Sequence, residues 1–294
     1  KRNYYKGDAV LQSIIINAHA KINLTLYVGN VLENGYHNID TVMHTVELHD
    51  IITLSKASRL SLAVTEGTAP SGEDNLMWRA AVLFAKEAQI EPKFHLELKK
   101  RIPSQAGLGG GSSDAAAVLK GLNQMFDYPL DMEILHRLAA SLGADVPFFL
   151  YEGAARCRCI GTDVTLIQGW NGIPAIIVKP DEHISTAIAY AQIDMLKEKR
   201  NNFSDEMVLA LQNKNLKLLQ KYLMNHFEEA LFSKHTALAD TLVYLRQWGY
   251  PCGMSGSGAA FFILLNNSAK ADEIITTISM DKPTWFVAKT ETII

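Results

Sequence analysis

Cysteine is scarce in this chain: Cys157, Cys159 and Cys252 are the only three in 294 residues. So sparse and odd a set is no disulfide framework and fits a reducing compartment. Cys157 and Cys159 stand too close together for the usual metal knuckle, and no second pair answers them. Histidine offers no cluster either. On an extended segment His37 and His49 fall on one face and His44 on the other, so the three are read as separate residues. No long Lys/Arg run appears and the formal charge is -3, whereas a nucleic-acid binder needs a basic stripe. No apolar run approaches the roughly 18–20 residues that cross a bilayer. The opening residues, Lys1 to Asp8, lack a secretory apolar stretch and are too poor in Arg and Ser for a transit peptide. The expectation is a cytoplasmic protein with neither membrane nor nucleic-acid partner.

What is present is an ordinary globular composition, 48% hydrophobic and 20% charged, enough for one large domain or two modest ones. Residues 13–19, 21–29, 41–47, 51–55 and 59–65 are rich in β-branched residues and read as strands. A loop at 66–72 precedes a helical spacing at 75–87, and 94–101 alternates as a half-buried strand stopped by Pro103. Helices are predicted at 113–125 and 131–142, the second ended by Gly143, with a hairpin near 153–163. After a divide placed at 168/169, strands at 175–179, 261–265 and 285–289 mix with helices at 185–197, 205–211, 216–222, 237–248 and 269–278. No repeat and no steady βαβ alternation is visible, so α+β is favoured over a doubly wound sheet.

The strongest local signal is the run IPSQAGLGGGSSDAAAVL. A strand ends at Pro103, a loop carries Gly107, Gly109, Gly110 and Gly111, and a helix begins near Ser112 and Ser113. Glycine allows positive φ and close backbone approach. The free N–H groups and dipole of a helix start make an anion site. Ser112 and Ser113 add hydroxyls, either of which could face a magnesium ion. A Walker loop needs a lysine that this turn lacks. A dinucleotide fingerprint needs a third glycine where Ser112 stands, although Asp127 lies about twenty residues on. A purely structural turn would gain nothing from four destabilising glycines.

Three separated stretches resemble the superfamily of galactokinase, homoserine kinase, mevalonate kinase and phosphomevalonate kinase. They are AKINLTLYV with the following ENGYHNIDT, then PSQAGLGGGSSDAA, then GMSGSGAAFFIL. AKINL, GYHNI and GADVPFFL together resemble, more narrowly, the family of 4-diphosphocytidyl-2-C-methyl-D-erythritol kinases. The resemblance implies a two-domain α+β fold, with an N-terminal S5-like α/β sandwich carrying ATP and a C-terminal ferredoxin-like domain closing the cleft. It implies ATP with Mg²⁺ and a small-molecule acceptor phosphorylated on its tertiary 2-hydroxyl. Another small alcohol, a non-catalytic nucleotide-binding relative and a Rossmann-type oxidoreductase are the competing readings, and no oligomeric state is assigned.

By that resemblance Lys21 and Asp145 are catalytic. Alone, the first would be a solvated strand lysine and the second a turn aspartate. ATP is expected on Pro103, Ser104, Gln105, Ala106, Gly107, Leu108, Gly109, Gly110, Gly111, Ser112 and Ser113, and on Ser255, Gly256 and Ser257 of the second glycine loop. Asn75 and Leu76 would open a helix of the nucleotide-binding half. The acceptor is expected on Asn23, Tyr36, His37, Thr186 and Tyr190, with His37 against the cytosine. Gly35-Tyr36-His37 could instead be a plugged hairpin corner, and Tyr190 a core residue of its helix. Two departures stand out. Met43 replaces an aromatic residue expected on the base, where a thioether would cover it less rigidly. Cys159 stands where the family favours glycine, and Thr162 where an acidic residue is common.

Overall fold

The computed structural model describes residues 12–196 and 199–294. Residues 1–11, on which the targeting expectation rests, and Lys197, the expected end of the helix at 185–197, lie outside the described residues.

Two long strands open the chain, β1 (Ser13–Val31) and β2 (His37–Lys56). Breaks in the sequence pattern suggest shorter pieces. The pairing instead runs on through register shifts at His19/Ala20 and Asn23/Thr25, which bend the ribbon without ending it. There follow β3 (Ser61–Glu66), α1 (Leu76–Glu87), β4 (Phe94–Lys99), α2 (Gly110–Met125), α3 (Met132–Leu142), α4 (Phe148–Tyr151), β5 (Ala154–Cys159) and β6 (Asp163–Leu166). The rest of the chain forms β7 (Pro174–Lys179), α5 (Thr186–Ile193), α6 (Ser204–Gln212), α7 (Leu216–Tyr222), β8 (Met224–Asn225), α8 (His226–Leu231), α9 (Thr236–Arg246), β9 (Cys252–Met254), β10 (Phe261–Leu264), α10 (Ser268–Asp281) and β11 (Phe286–Glu291). The side chains of Asn75 and Asp131 cap α1 and α3. The sequence signals missed α4, β8, α8 and β9, which are too short to show a period.

The first sheet has seven strands in the order β3-β4-β2-β1-β8, with β5 also pairing to β2 and β6 to β5. Besides β1, strand β2 serves two further neighbours because it is long: Ile39–His44 pair with β5 and Ile51–Lys56 with β4. The second sheet is antiparallel, β11-β7-β10-β9. Met224 and Asn225 come from the second half of the sequence yet pair in parallel with Thr25 and Leu26 of β1. Helices and sheets mix without a repeating βαβ unit, as an α+β fold requires. In particular α2 leads through Asp127 into α3 rather than into a parallel strand, which removes the dinucleotide reading.

The period-2 pattern of β1 sets the layers. Ala20, Ile22 and Leu24 point into a core between the sheets, against Ile177, Phe262 and Leu264. The alternate residues Lys21, Asn23 and Thr25 form a buried polar row on the opposite face. Under the first sheet α1, α2 and α3 pack Met77, Phe84, Val118 and Leu135 against Ile52 and Leu54. The second sheet has its own core with α8, α9 and α10. The segment joining the halves is pinned by His44, whose Nε2 accepts the Trp170 N–H (3.2 Å) while Nδ1–H donates to the Thr45 carbonyl (2.9 Å). Burial pushes its pKa down to about 4, so the ring is neutral. Among the described residues no helix is long and apolar enough to cross a membrane.

Candidate active site

The first glycine turn leaves β4 and enters α2 through two left-handed glycines, Gly107 (φ +75°) and Gly109 (φ +72°). Gly109 is the N-cap of α2, and its carbonyl accepts the Ser113 N–H at 2.8 Å. A Cβ here would stand 2.6 Å from the Phe149 ring, so only glycine fits. The first N–H groups of α2, at Gly110, Gly111 and Ser112, have no acceptor within the helix, the arrangement at a helix start that suits an anion.

Opposite them stands Lys21, whose side chain is 3% exposed. Its Nζ donates to Asn23 Oδ1 at 2.5 Å and lies 3.6 Å from Asp145 Oδ2. Burial pushes the ammonium below the usual lysine value, and the Asp145 carboxylate pulls it partly back. Asp145, in the turn between α3 and α4, keeps 36% of its side chain exposed, so its carboxylate can meet a bound molecule. The Lys21 N–H donates to the Leu108 carbonyl (3.0 Å), tying β1 to the turn. Asn23 Nδ2 donates to Thr41 Oγ1 (2.8 Å), which itself donates to the Thr25 carbonyl (2.5 Å).

The second glycine loop, after β9, presses against the first. A Cβ on Gly107 would lie 2.0 Å from the Ser255 carbonyl oxygen, and one on Gly256 would lie 2.9 Å from the Gly107 oxygen and 3.3 Å from Lys21 Nζ. Ser255 Oγ donates to the Gly107 carbonyl (2.9 Å), and the Gly256 N–H donates to Asn23 Oδ1 (2.9 Å). From behind, Asn225 Nδ2 donates to the Met254 and Gly256 carbonyls, both at 2.8 Å. The Met254 N–H goes to Glu228 Oε1 at 2.7 Å, and burial pushes that carboxyl up.

At the other end, Thr186 Oγ1 lies 3.1 Å from Ser257 Oγ. His37 stacks on Tyr190 with centroids 4.8 Å apart, and its Nε2 donates to Asp194 Oδ1 at 2.7 Å. Tyr190 also meets Phe227 edge-on, and burial pushes its hydroxyl up to about 12. Tyr36 is exposed rather than a plug at the corner. Lys21, Asn23, Asp145, His37, Tyr190 and Ser257 all face one cleft of about 900 Å³.

Comparison with known proteins identifies the family. Residues 75–153 match the GHMP kinases N terminal domain and residues 207–279 the GHMP kinases C terminal domain. The 4-diphosphocytidyl-2-C-methyl-D-erythritol kinase of Caldicellulosiruptor saccharolyticus is 36% identical over 261 residues, covering 88% of this chain and 90% of its own. That of Clostridium tetani is 36% identical over 249 residues, 84% of this chain and 89% of its own. The chain belongs to the GHMP kinase family, among the 4-diphosphocytidyl-2-C-methyl-D-erythritol kinases. A crystal structure of 4-(cytidine 5'-diphospho)-2C-methyl-D-erythritol kinase superposes on this GHMP kinase with TM-score 0.81 at 30% identity, covering 95% of this chain and all of that one. Homoserine kinase from Cytophaga hutchinsonii (TM-score 0.77, 18% identity, 99% and 97% covered) shares the fold. As a kinase of this family the protein uses ATP.

Not every expected residue of this GHMP kinase reaches the cleft. Lys21, Asn23, Tyr36, His37, Gln105, Gly107, Gly109, Ser112, Asp145, Thr186, Tyr190, Gly256 and Ser257 line it. Ala106 and Leu108 turn their side chains into the core between the sheets and offer only backbone. Ser113 and Ser255 are buried, so of the serine pair at the start of α2 only Ser112 presents itself to the cleft. Ser104 bonds the Thr68 carbonyl at the surface, and Pro103, Gly110 and Gly111 stand outside the lining.

Met43 needs a correction: it is 1% exposed and packed in the core beneath the first sheet, not against a base. Cys159, the last residue of β5, adopts φ +61°, in the left-handed region that glycine enters most readily. Sequence reasoning missed Thr41, Asp194 and Asn225. Thr41 shares the strand parity of His37 and could have been found by alternation. The other two carry no local signal. A separate cavity of about 320 Å³ lies behind the second loop, lined by Asn225, Glu228, Arg246 and Cys252 among others.

Proposed function

We propose that this kinase transfers the γ-phosphoryl group of ATP to the 2-hydroxyl of 4-diphosphocytidyl-2-C-methyl-D-erythritol, with Lys21 and Asp145 as its catalytic residues. The observation that carries the reading is the Lys21–Asp145 pair at 3.6 Å, set between two glycine loops in one cleft. In this reading the chain up to residue 168 holds ATP and the catalytic pair, and residues 169–294 close the cleft.

The acceptor hydroxyl approaches the exposed carboxylate of Asp145, which takes its proton as the oxygen attacks the γ-phosphorus. The bond from γ-phosphorus to the bridging oxygen breaks and its electron pair leaves with ADP. The Lys21 ammonium, held by Asn23 and Asp145, faces the charge that develops on the transferring group. The N–H groups at the start of α2 hold the phosphates. His37 and Tyr190, with Thr186 and Tyr36, offer ring faces and donors to the cytidine end; separating the His37–Tyr190 stack would admit a base between them.

Among the described residues no group of three or more His, Cys, Asp or Glu side chains could hold a metal. Mg²⁺ suits such a site because it binds mainly through substrate phosphates and water, with one or two protein oxygens. Ser112 Oγ and the Asp145 carboxylate are the oxygens on hand, and the ion would neutralise phosphate charge.

The test is an ATP-coupled assay of the purified protein against the cytidyl substrate, mevalonate, homoserine and galactose. Turnover with the cytidyl compound alone is expected. Turnover with one of the others and none with it would overturn the assignment.

A further inference from the structure

Behind the first glycine turn, three ionisable side chains meet almost shielded from water, and burial pushes the Asp114 carboxyl up to about 8. Lys100, just after β4, has a side chain 6% exposed. Its ammonium bonds Asp50 Oδ2 of β2 and, at 2.8 Å, Asp114 Oδ2 of α2. Both carboxylates are buried. The other oxygen of Asp50, Oδ1, accepts two backbone N–H groups, from Arg101 at 2.5 Å and Ile102 at 2.8 Å. Asp114 Oδ1 is buried with no hydrogen-bond partner among the described residues. A Cβ on Gly110 would lie 2.9 Å from the ammonium, so the cluster sits directly against the start of α2.

One ammonium therefore ties together the residues entering the turn and the helix leaving it. The turn has little means of holding its own shape. Its glycines have no side chains to pack, and Gly107 and Gly109 sit in the left-handed region. The second loop restrains it from the front, where Ser255 and Gly256 touch Gly107. From behind, the restraint is the charge cluster. Stability alone does not call for ions here, since well-packed apolar groups often replace a buried ion pair without loss. An ammonium bridging two carboxylates, one of them holding backbone N–H groups, does fix direction as well as distance.

We propose that Lys100, Asp50 and Asp114 are positioning residues for the phosphate cradle, setting its affinity for ATP without touching the nucleotide. The inference rests on the reading of the first turn as the ATP cradle. None of the three lines the cleft, so their effect must pass through the backbone of the turn.

The experiment measures ATP binding by calorimetry, KM for ATP and for the acceptor, and the thermal midpoint. The proteins are wild type, Lys100→Arg, Lys100→Met and the double variant Lys100→Met/Asp114→Leu. Lys100→Met should weaken ATP binding by about 10- to 100-fold, the scale of a displaced binding group, and leave the acceptor KM unchanged. Lys100→Arg, which can still bridge both carboxylates, should recover most of that loss. The double variant removes the Asp114 carboxyl along with the lysine and leaves Asp50 held by the Arg101 and Ile102 N–H groups. It should regain part of the folding stability lost in Lys100→Met and still bind ATP weakly, a result that a merely structural role would not produce. A folded double variant with wild-type ATP affinity would overturn the proposal. Wild-type protein that binds no ATP would instead overturn the cradle reading, and this inference with it.

Discussion

The turn at 103–113 and the loop at 253–258 are both glycine-rich and lie in contact, yet their polar groups are used differently. In the first, the N–H groups of Gly110, Gly111 and Ser112 have no acceptor within α2, and the restraints come from behind, through Lys100, Asp50 and Asp114. In the second, the backbone is engaged by the protein itself. Asn225 takes two carbonyls, Glu228 the Met254 N–H and Asn23 the Gly256 N–H. Gly107 and Gly256 allow the backbone contact between the two loops, and in the proposed reading the other glycines of the first turn serve ligand approach. Glycine content alone therefore does not mark a phosphate site; unsatisfied donors at a helix start do.

The largest expected effect separates chemistry from both loops. Asp145→Asn should lower kcat by on the order of 10²–10⁴ while ATP binding by calorimetry is retained. Wild-type turnover would remove Asp145 from the mechanism. Next, Gly107→Ala should damage both loops at once, since its methyl meets the Ser255 carbonyl and the residue sits at φ +75°. Strain of about 1–3 kcal/mol is expected in denaturant unfolding, with kcat/KM down about 100-fold; an unaltered enzyme would mean that the loops do not need their contact.

Asn225→Ala should strand two buried carbonyls of the second loop and the Phe227 N–H that its Oδ1 caps at the start of α8, for about 2–4 kcal/mol of stability. A rise in the ATP KM would accompany it if Gly256 and Ser257 hold the nucleotide, and an unchanged KM would assign that loop to packing only. Met43→Phe is a control away from both loops. Overpacking the core should cost about 1–3 kcal/mol with no change in acceptor KM. A tighter acceptor KM would return Met43 to the cleft.

The smallest effect concerns Glu228. Burial raises its carboxyl pKa, so the stability it contributes is complete below about pH 4.5 and is lost as pH rises through the raised folded value. Glu228→Gln keeps an acceptor for the Met254 N–H and should flatten that slope. It should raise the unfolding free energy at pH 8, by about 1.4 kcal/mol for each unit of the raised pKa crossed, and leave it unchanged at pH 4. An identical slope in the variant would show that Glu228 does not titrate in this range.

Elements with a period are legible in the residues themselves. The alternation Lys21, Asn23, Thr25 against Ala20, Ile22, Leu24 marks the two faces of β1, and the caps Asn75 and Asp131 mark helix starts. The joining of short strand signals into β1 and β2 is not legible. A bulge changes the side-chain pattern without ending the hydrogen-bonded ladder. Met43 misleads for a related reason: its place in the motif is plain, but the direction of its side chain depends on the bend of β2 over the helices.

By itself the sequence determined the kinds of chemistry available: a glycine turn opening a helix, a lysine and an aspartate in family motifs, and no Walker lysine or metal knuckle. Those are properties of neighbours along the chain, where local backbone preference decides. Only the tertiary structure decided that Lys21 stands 3.6 Å from Asp145, that Asn225 props a loop 31 residues away, and that Lys100 bridges Asp50 and Asp114. Such meetings depend on how bulged strands, helix starts and two sheets pack around shared cores, and residue spacing along the chain carries no record of that packing.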